Sequence, residues 1–184
     1  MSIDPPSPVP NFVDPHKILA ELELTEGESV ADLGCGSGFL AFEAAKLVGE
    51  SGQVYAVDIQ KTVLSAVQSK INLQGTRNIK TVWADVEVLG STKIKNDSID
   101  TVLLASIFYQ TKKHGQILAE AKRIAKTGGK IVIIDWEQTN IPMGPDVKLR
   151  VLKDEIRKKA EAIDLKFTNE VEVDSYHYGL VFVK

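Results

Sequence analysis

From about residue 29 onward, short apolar runs alternate with longer stretches whose apolar positions recur every three or four residues. Apolar runs of that length bounded by turn residues read as buried strands, and the 3.6-residue period reads as helix. Strands are expected at 29–32, 53–58, 79–84, 99–105 and 130–136, with helices at 39–48, 61–73, 113–125 and 146–163. An earlier helix opens at Asp14-Pro15, a capping pair, and runs to about Leu24. Gly49, Gly75 and Gly128 stand where helices should stop. Strand and helix in alternation argue for a parallel sheet covered on both faces. The tail differs: runs at 166–173 and 176–183 are separated by only Asp174-Ser175, which requires an antiparallel pair.

Composition narrows this to one domain. At 184 residues and 43% apolar, the chain can bury a full core but holds no second domain. The domain is expected over 14–184, preceded by a Pro-rich arm at 1–13. Pro5, Pro6, Pro8 and Pro10 keep that arm extended. Either it is a loose tail or, through Phe12, a strap across a ligand mouth. No run reaches the roughly 20 apolar residues of a membrane span, and nothing resembles a signal peptide, so a cytoplasmic protein is expected. Cys35, the single cysteine, excludes an internal disulfide and suits a small side chain under a turn better than a nucleophile. A net charge of −3 exerts no pull toward nucleic acid.

Chemistry concentrates where the first strand ends, in Asp32-Leu33-Gly34-Cys35-Gly36-Ser37-Gly38. Glycines there let a ligand approach the backbone, and the following helix offers free N–H groups. A dinucleotide site needs G-x-G-x-x-G, but here the third glycine comes early and an anion sits where it would repel a pyrophosphate. A cationic head, such as a sulfonium or an α-ammonium, suits Asp32 better. The pattern reads as an S-adenosylmethionine site.

The same residues resemble the glycine motif of class I S-adenosylmethionine-dependent methyltransferases. The likeness continues through Val54-Tyr55-Ala56-Val57-Asp58, Trp83-Ala84-Asp85-Val86, Ser98-Ile99-Asp100-Thr101-Val102 and Lys126-Thr127-Gly128-Gly129-Lys130, and is similar in style to the quinone-biosynthesis branch. It implies a Rossmann-like three-layer α/β/α sandwich on a seven-stranded sheet with an antiparallel last strand. It also implies S-adenosylmethionine as cofactor and S-adenosylhomocysteine as product. Strand ends supply the site in such a sheet. Around the first lie Asp32, Gly34, Cys35, Gly36, Ser37 and Gly38. The second brings Asp58 for the ribose hydroxyls, with Ile59 and Gln60. The third brings Ala84, Asp85 and Val86 for adenine, with Trp83 as a second wall or as core, and the fourth brings Ala105 and Ser106.

The acceptor is less defined. No Asp/Asn-Pro-Pro-Tyr/Phe signature follows the fourth strand, no cysteine supports covalent cytosine chemistry, and no carboxylate cluster supports a metal. Phe108-Tyr109, Trp136 and Tyr176-His177 are expected to line an aromatic acceptor pocket, with Tyr109 and His177 as candidate catalytic residues. Ile141-Pro142-Met143-Gly144-Pro145 should form a rigid loop before the last helix. Arg150 is expected in a surface ion pair, and Lys112-Lys113-His114 and Arg157-Lys158-Lys159 on solvated helix faces. Small-molecule and protein acceptors both remain open, as do a homodimer, a catalytically silent binding module and a nicotinamide-dependent oxidoreductase.

Overall fold

The structure is a computed structural model that describes residues 14–139 and 144–184. The Pro-rich arm with Phe12, and Ile141-Pro142-Met143, lie outside the described residues. The elements run α1 (Pro15–Glu21), β1 (Ser29–Leu33), α2 (Phe39–Leu47), β2 (Gln53–Asp58), α3 (Lys61–Gln74), β3 (Ile79–Trp83), β4 (Ile99–Ala105), α4 (His114–Ile124), β5 (Ala125–Trp136), α5 (Lys153–Glu161), β6 (Lys166–Val171) and β7 (His177–Val183).

These form one seven-stranded sheet in the order β3-β2-β1-β4-β5-β7-β6. The first five strands are parallel, and β7 runs antiparallel between β5 and β6. Residues of β1, β4 and β5 are buried on both faces, which explains why their sequences read as unbroken apolar runs. One core cluster joins Ile117, Leu118 and Ile156 of α4 and α5 to one face of the sheet; the other joins Ile18, Leu19, Phe42 and Val67 of α1, α2 and α3 to the opposite face. Asp14 caps α1 as expected, its carboxylate accepting from the amides of His16 and Lys17 at 3.0 and 3.4 Å.

Four expectations need correction. The helix expected over 146–163 is broken: a 3₁₀ turn at Val147–Leu149 gives way to extended backbone at Arg150, and α5 begins at Lys153. Arg150 turns its guanidinium inward, donating to the carbonyls of Pro145, Glu137 and Thr139 at 3.0, 3.0 and 2.9 Å. Those bonds, invisible to helical periodicity, override it, and Arg150 is 3% exposed where a surface ion pair was expected. Gly128 does not stop a helix. With φ +80° it sits inside β5, where the pairing with β4 shifts register, and its amide donates to Lys184 O at 2.9 Å. His114 is buried, not solvated, its Nε2 lying 3.0 and 2.8 Å from the carbonyl oxygens of Phe108 and Thr111.

Candidate functional site

The chain lays down β1, β2 and β3 in one direction, then returns to place β4 on the other side of β1. The carboxyl ends of β1 and β4 therefore flank a crevice at the point where strand order reverses, where ligands of such sheets bind.

The glycine turn forms the floor of that crevice. The amides of Gly34 and Cys35 both donate to Val57 O, at 2.8 and 2.9 Å, which fastens the turn to the end of β2. Gly34, Gly36 and Gly38 all have positive φ, at +81°, +50° and +76°. Their surroundings differ. A Cβ on Gly34 would come 2.9 Å from Ile107 Cδ1, and one on Gly38 would come 3.2 Å from the Phe42 ring, whereas one on Gly36 would meet nothing within 4 Å. Gly36 thus borders open space.

Two hollows meet at this turn. The first, of about 340 Å³, runs from Gly36 past Asp58, Ile59 and Gln60 to Ala84, Asp85 and Val86. The second, of about 280 Å³, is walled by Asp32, Cys35, Ser37, Phe39, Ser106 and Tyr109, with Ala105 at its base. Gly34, Gly36 and Gln110 border both. Every cofactor residue expected from the sequence except Gly38 lines one hollow or the other, and Gly38 instead caps α2. Trp83 is 60% exposed and stands outside the first hollow; its Nε1–H donates to Ile59 O at 2.8 Å and the Lys61 ammonium lies 4.0 Å over its ring.

The carboxylates are held in distinct ways. Asp58 accepts from Gly36 N at 3.1 Å through one oxygen and from Gln60 N at 2.8 Å through the other, leaving further lone pairs toward the first hollow. Asp85 accepts from Glu87 N at 2.9 Å, and its loop is tied down by Gly90 N donating to Glu120 at 2.7 Å. Burial alone would raise the Glu120 carboxyl, but Arg123, Thr92 and the Gly90 amide hold it down at about 2. Asp32 has the opposite balance. It is 2% exposed, its Oδ2 has no hydrogen-bond partner, and it borders the second hollow. Burial pushes its carboxyl up to about 7; the Ala41 amide opposes this and the charge of Asp58 adds to it. A buried oxygen without a donor is rare in folded chains and marks a place where a ligand donor belongs. The residues therefore fit a ligand with a cationic head beside Asp32 and a diol beside Asp58. The Cys35 thiol is held well above the usual thiol range, first by burial and then by Asp32, and is inert.

Beside the second hollow, Ser106 adopts φ +52°, its amide donating to Ile134 O at 2.8 Å. The strained corner throws the chain into a 3₁₀ turn at Phe108–Gln110, which Asp135 anchors by accepting from Phe108 N at 2.9 Å. This puts Tyr109 on the second hollow, its hydroxyl pushed above the ordinary phenol range by burial and by Asp135. His177 is elsewhere. It is 6% exposed, has Nδ1 2.9 Å from both oxygens of Asp174, and packs its ring 4.1 Å from Trp136. It lines neither hollow, so the two candidate catalytic residues are not brought together. Sequence reasoning places Gln110 only in the stretch after the fourth strand and gives it no role; it borders both hollows at their seam, as Gly34 and Gly36 do. Among the described residues no group of three or more His, Cys, Asp or Glu side chains is placed to hold a metal.

Comparison with known proteins agrees with this fold. A solved S-adenosylmethionine-dependent methyltransferase from Aquifex aeolicus is similar with a TM-score of 0.85 and 29% identity, over 93% of this chain and 89% of that one. A type 11 methyltransferase fold from Sulfolobus solfataricus superposes with a TM-score of 0.78 at 24% identity, over 95% and 94%. The demethylmenaquinone methyltransferase of Shouchella clausii is 27% identical over 125 residues, 68% of this chain and 52% of the relative. The chain spans about half the length of the curated relatives it matches. Neither an oxidoreductase nor a silent module is favoured by these likenesses. The family described as Methyltransferase domain matches residues 24–178, from before β1 into β7, and the chain belongs to that family.

Proposed function

We propose that this chain is an S-adenosylmethionine-dependent methyltransferase whose acceptor is a small molecule presented beside Tyr109. The observation that supports it most is the unpartnered Asp32 oxygen, buried at the border of a glycine turn that leaves space over Gly36. When bound, S-adenosylmethionine supplies a methyl group already activated by its sulfonium. Asp32 then pairs with the α-ammonium, Asp58 accepts from the ribose hydroxyls, and Asp85 accepts from the adenine amine, with Ile59 and Gln60 bounding the base. Gly36 admits the ligand by having no side chain. Tyr109 keeps its proton because its hydroxyl is raised, so it serves as a hydrogen-bond donor and aromatic wall to the acceptor and not as a base. His177, engaged with Asp174, positions Trp136. No helix among the described residues is long and apolar enough to cross a membrane.

Calorimetric titration with S-adenosylhomocysteine and, separately, with a nicotinamide dinucleotide tests the cofactor. Binding of the first alone is expected; binding of the dinucleotide alone overturns the reading. Transfer of labelled methyl from S-adenosylmethionine into the small-molecule fraction of a lysate tests the reaction. A protein that binds the cofactor and labels nothing is a silent module.

A further inference from the structure

The charge on the walls of the two hollows restricts what can lie against them. Asp32, Asp58, Asp85 and Glu87 line them, and none of the described lining residues is Lys, Arg or His. Three cations elsewhere on this edge are engaged, while Lys112, next to the lining residue Thr111, is exposed. Lys113 Nζ lies 2.9 Å from Glu87, and Lys61 lies over Trp83. The buried Arg150 guanidinium is held by three carbonyl oxygens. The two undescribed segments, 1–13 and 140–143, also contain no Lys, Arg or His. Beyond the cofactor's own carboxylate, an anionic group on the acceptor would lose its hydration here and meet no cationic side chain among the described lining residues, which disfavours it.

The second hollow supplies apolar surface instead. Phe39 is half exposed there, with Leu40, Ile134 and the Tyr109 ring around it. We propose that the methyl acceptor is a flat molecule without an anionic group, uncharged or cationic, lying against Phe39, Leu40, Tyr109 and Ile134. This rests on the methyltransferase reading and deepens it to a substrate class. Polyphosphates, nucleic acids and carboxylated acceptors find no cationic side chain on the same walls, and aromatic faces tolerate or favour a cation.

Three ring probes of matched size distinguish the cases: 2-naphthol (neutral at pH 7), 2-naphthylmethylamine (cationic) and 2-naphthoate (anionic). Each is titrated into the chain saturated with S-adenosylhomocysteine, and the amides of residues 105–110 are followed by NMR. The neutral and cationic probes are expected to bind at least tenfold more tightly than the anion. Gln110→Lys, which sets an ammonium at the seam, should narrow that gap at least threefold. Equal or tighter binding of 2-naphthoate by the wild type, or no perturbation by any probe, overturns the proposal. Failure to bind S-adenosylhomocysteine appears before any probe is added, and it defeats the methyltransferase reading on which the proposal rests.

Discussion

The two halves of the crevice, proposed to take the nucleoside and the acceptor, are built by different means. On the nucleoside side, the carboxylates at the ends of β2 and β3 each accept from a backbone amide two residues on, Asp58 from Gln60 and Asp85 from Glu87. On the acceptor side, Tyr109 is placed by a strained Ser106 and by Asp135, which accepts from the amide of Phe108, 27 residues earlier. Local bonds make the first half a matter of spacing; long-range bonds make the second half a matter of the whole sheet. A substitution in one half should therefore leave the other nearly unchanged, and that can be tested.

Gly36→Val should have the largest effect. The added side chain fills the space that the ligand needs, so S-adenosylhomocysteine affinity should fall more than 100-fold by calorimetry. The empty surroundings of Gly36 should limit loss of melting temperature to what its positive φ imposes. A protein that simply unfolds would place Gly36 with the structural glycines instead. Asp58→Ala comes next. Charge-assisted hydrogen bonds to the diol contribute about 1.5–3 kcal/mol, and part of any measured loss will reflect the freed Gly36 amide. An unchanged dissociation constant would remove Asp58 from the cofactor site.

Asp32 should give a smaller, pH-dependent effect. Its carboxyl titrates near 7 when folded, above its ordinary 3.8, so the folded chain retains a proton that the unfolded chain has lost. The stability of the free protein should accordingly fall as pH rises from about 4 through 7, then level off. A cationic head prefers the ionised form, so stabilisation by S-adenosylhomocysteine should grow between pH 6 and pH 8. Melting curves of the wild type and Asp32→Asn, with and without ligand, check both slopes, and both should vanish in the variant. Tyr109→Phe should change cofactor affinity least, within about twofold, while lowering labelled methyl transfer several-fold, as expected of an acceptor contact. A large loss of cofactor binding in Tyr109→Phe would erase the division between the halves.

The same division decides what could be read from the sequence. The strand run 53–58 and the positions of Asp32, Asp58 and Asp85 are visible because buried parallel strands are continuous apolar runs that end in polar residues. The hairpin of β6 and β7 is legible from Asp174-Ser175 alone. Arg150 is not legible: amphipathic spacing carries its helix straight through, and only the carbonyls of a loop thirteen residues upstream explain why it breaks. His114 looks like part of a basic surface run until the carbonyls of Phe108 and Thr111 are seen around it. Gln110 offers no signal, since its importance is positional.

The clearance over Gly34 bears on how such chains can change over generations. Its missing Cβ leaves room for Ile107, not for a ligand, so the first glycine of the turn answers to a residue 73 positions later. The two positions should drift together: a smaller residue at 107 removes the steric objection to alanine at 34, leaving only the dihedral one. Gly36, with no such neighbour, answers to its own positive φ and, on the proposed function, to the ligand. Letters that look equivalent within one motif thus record two separate histories of constraint.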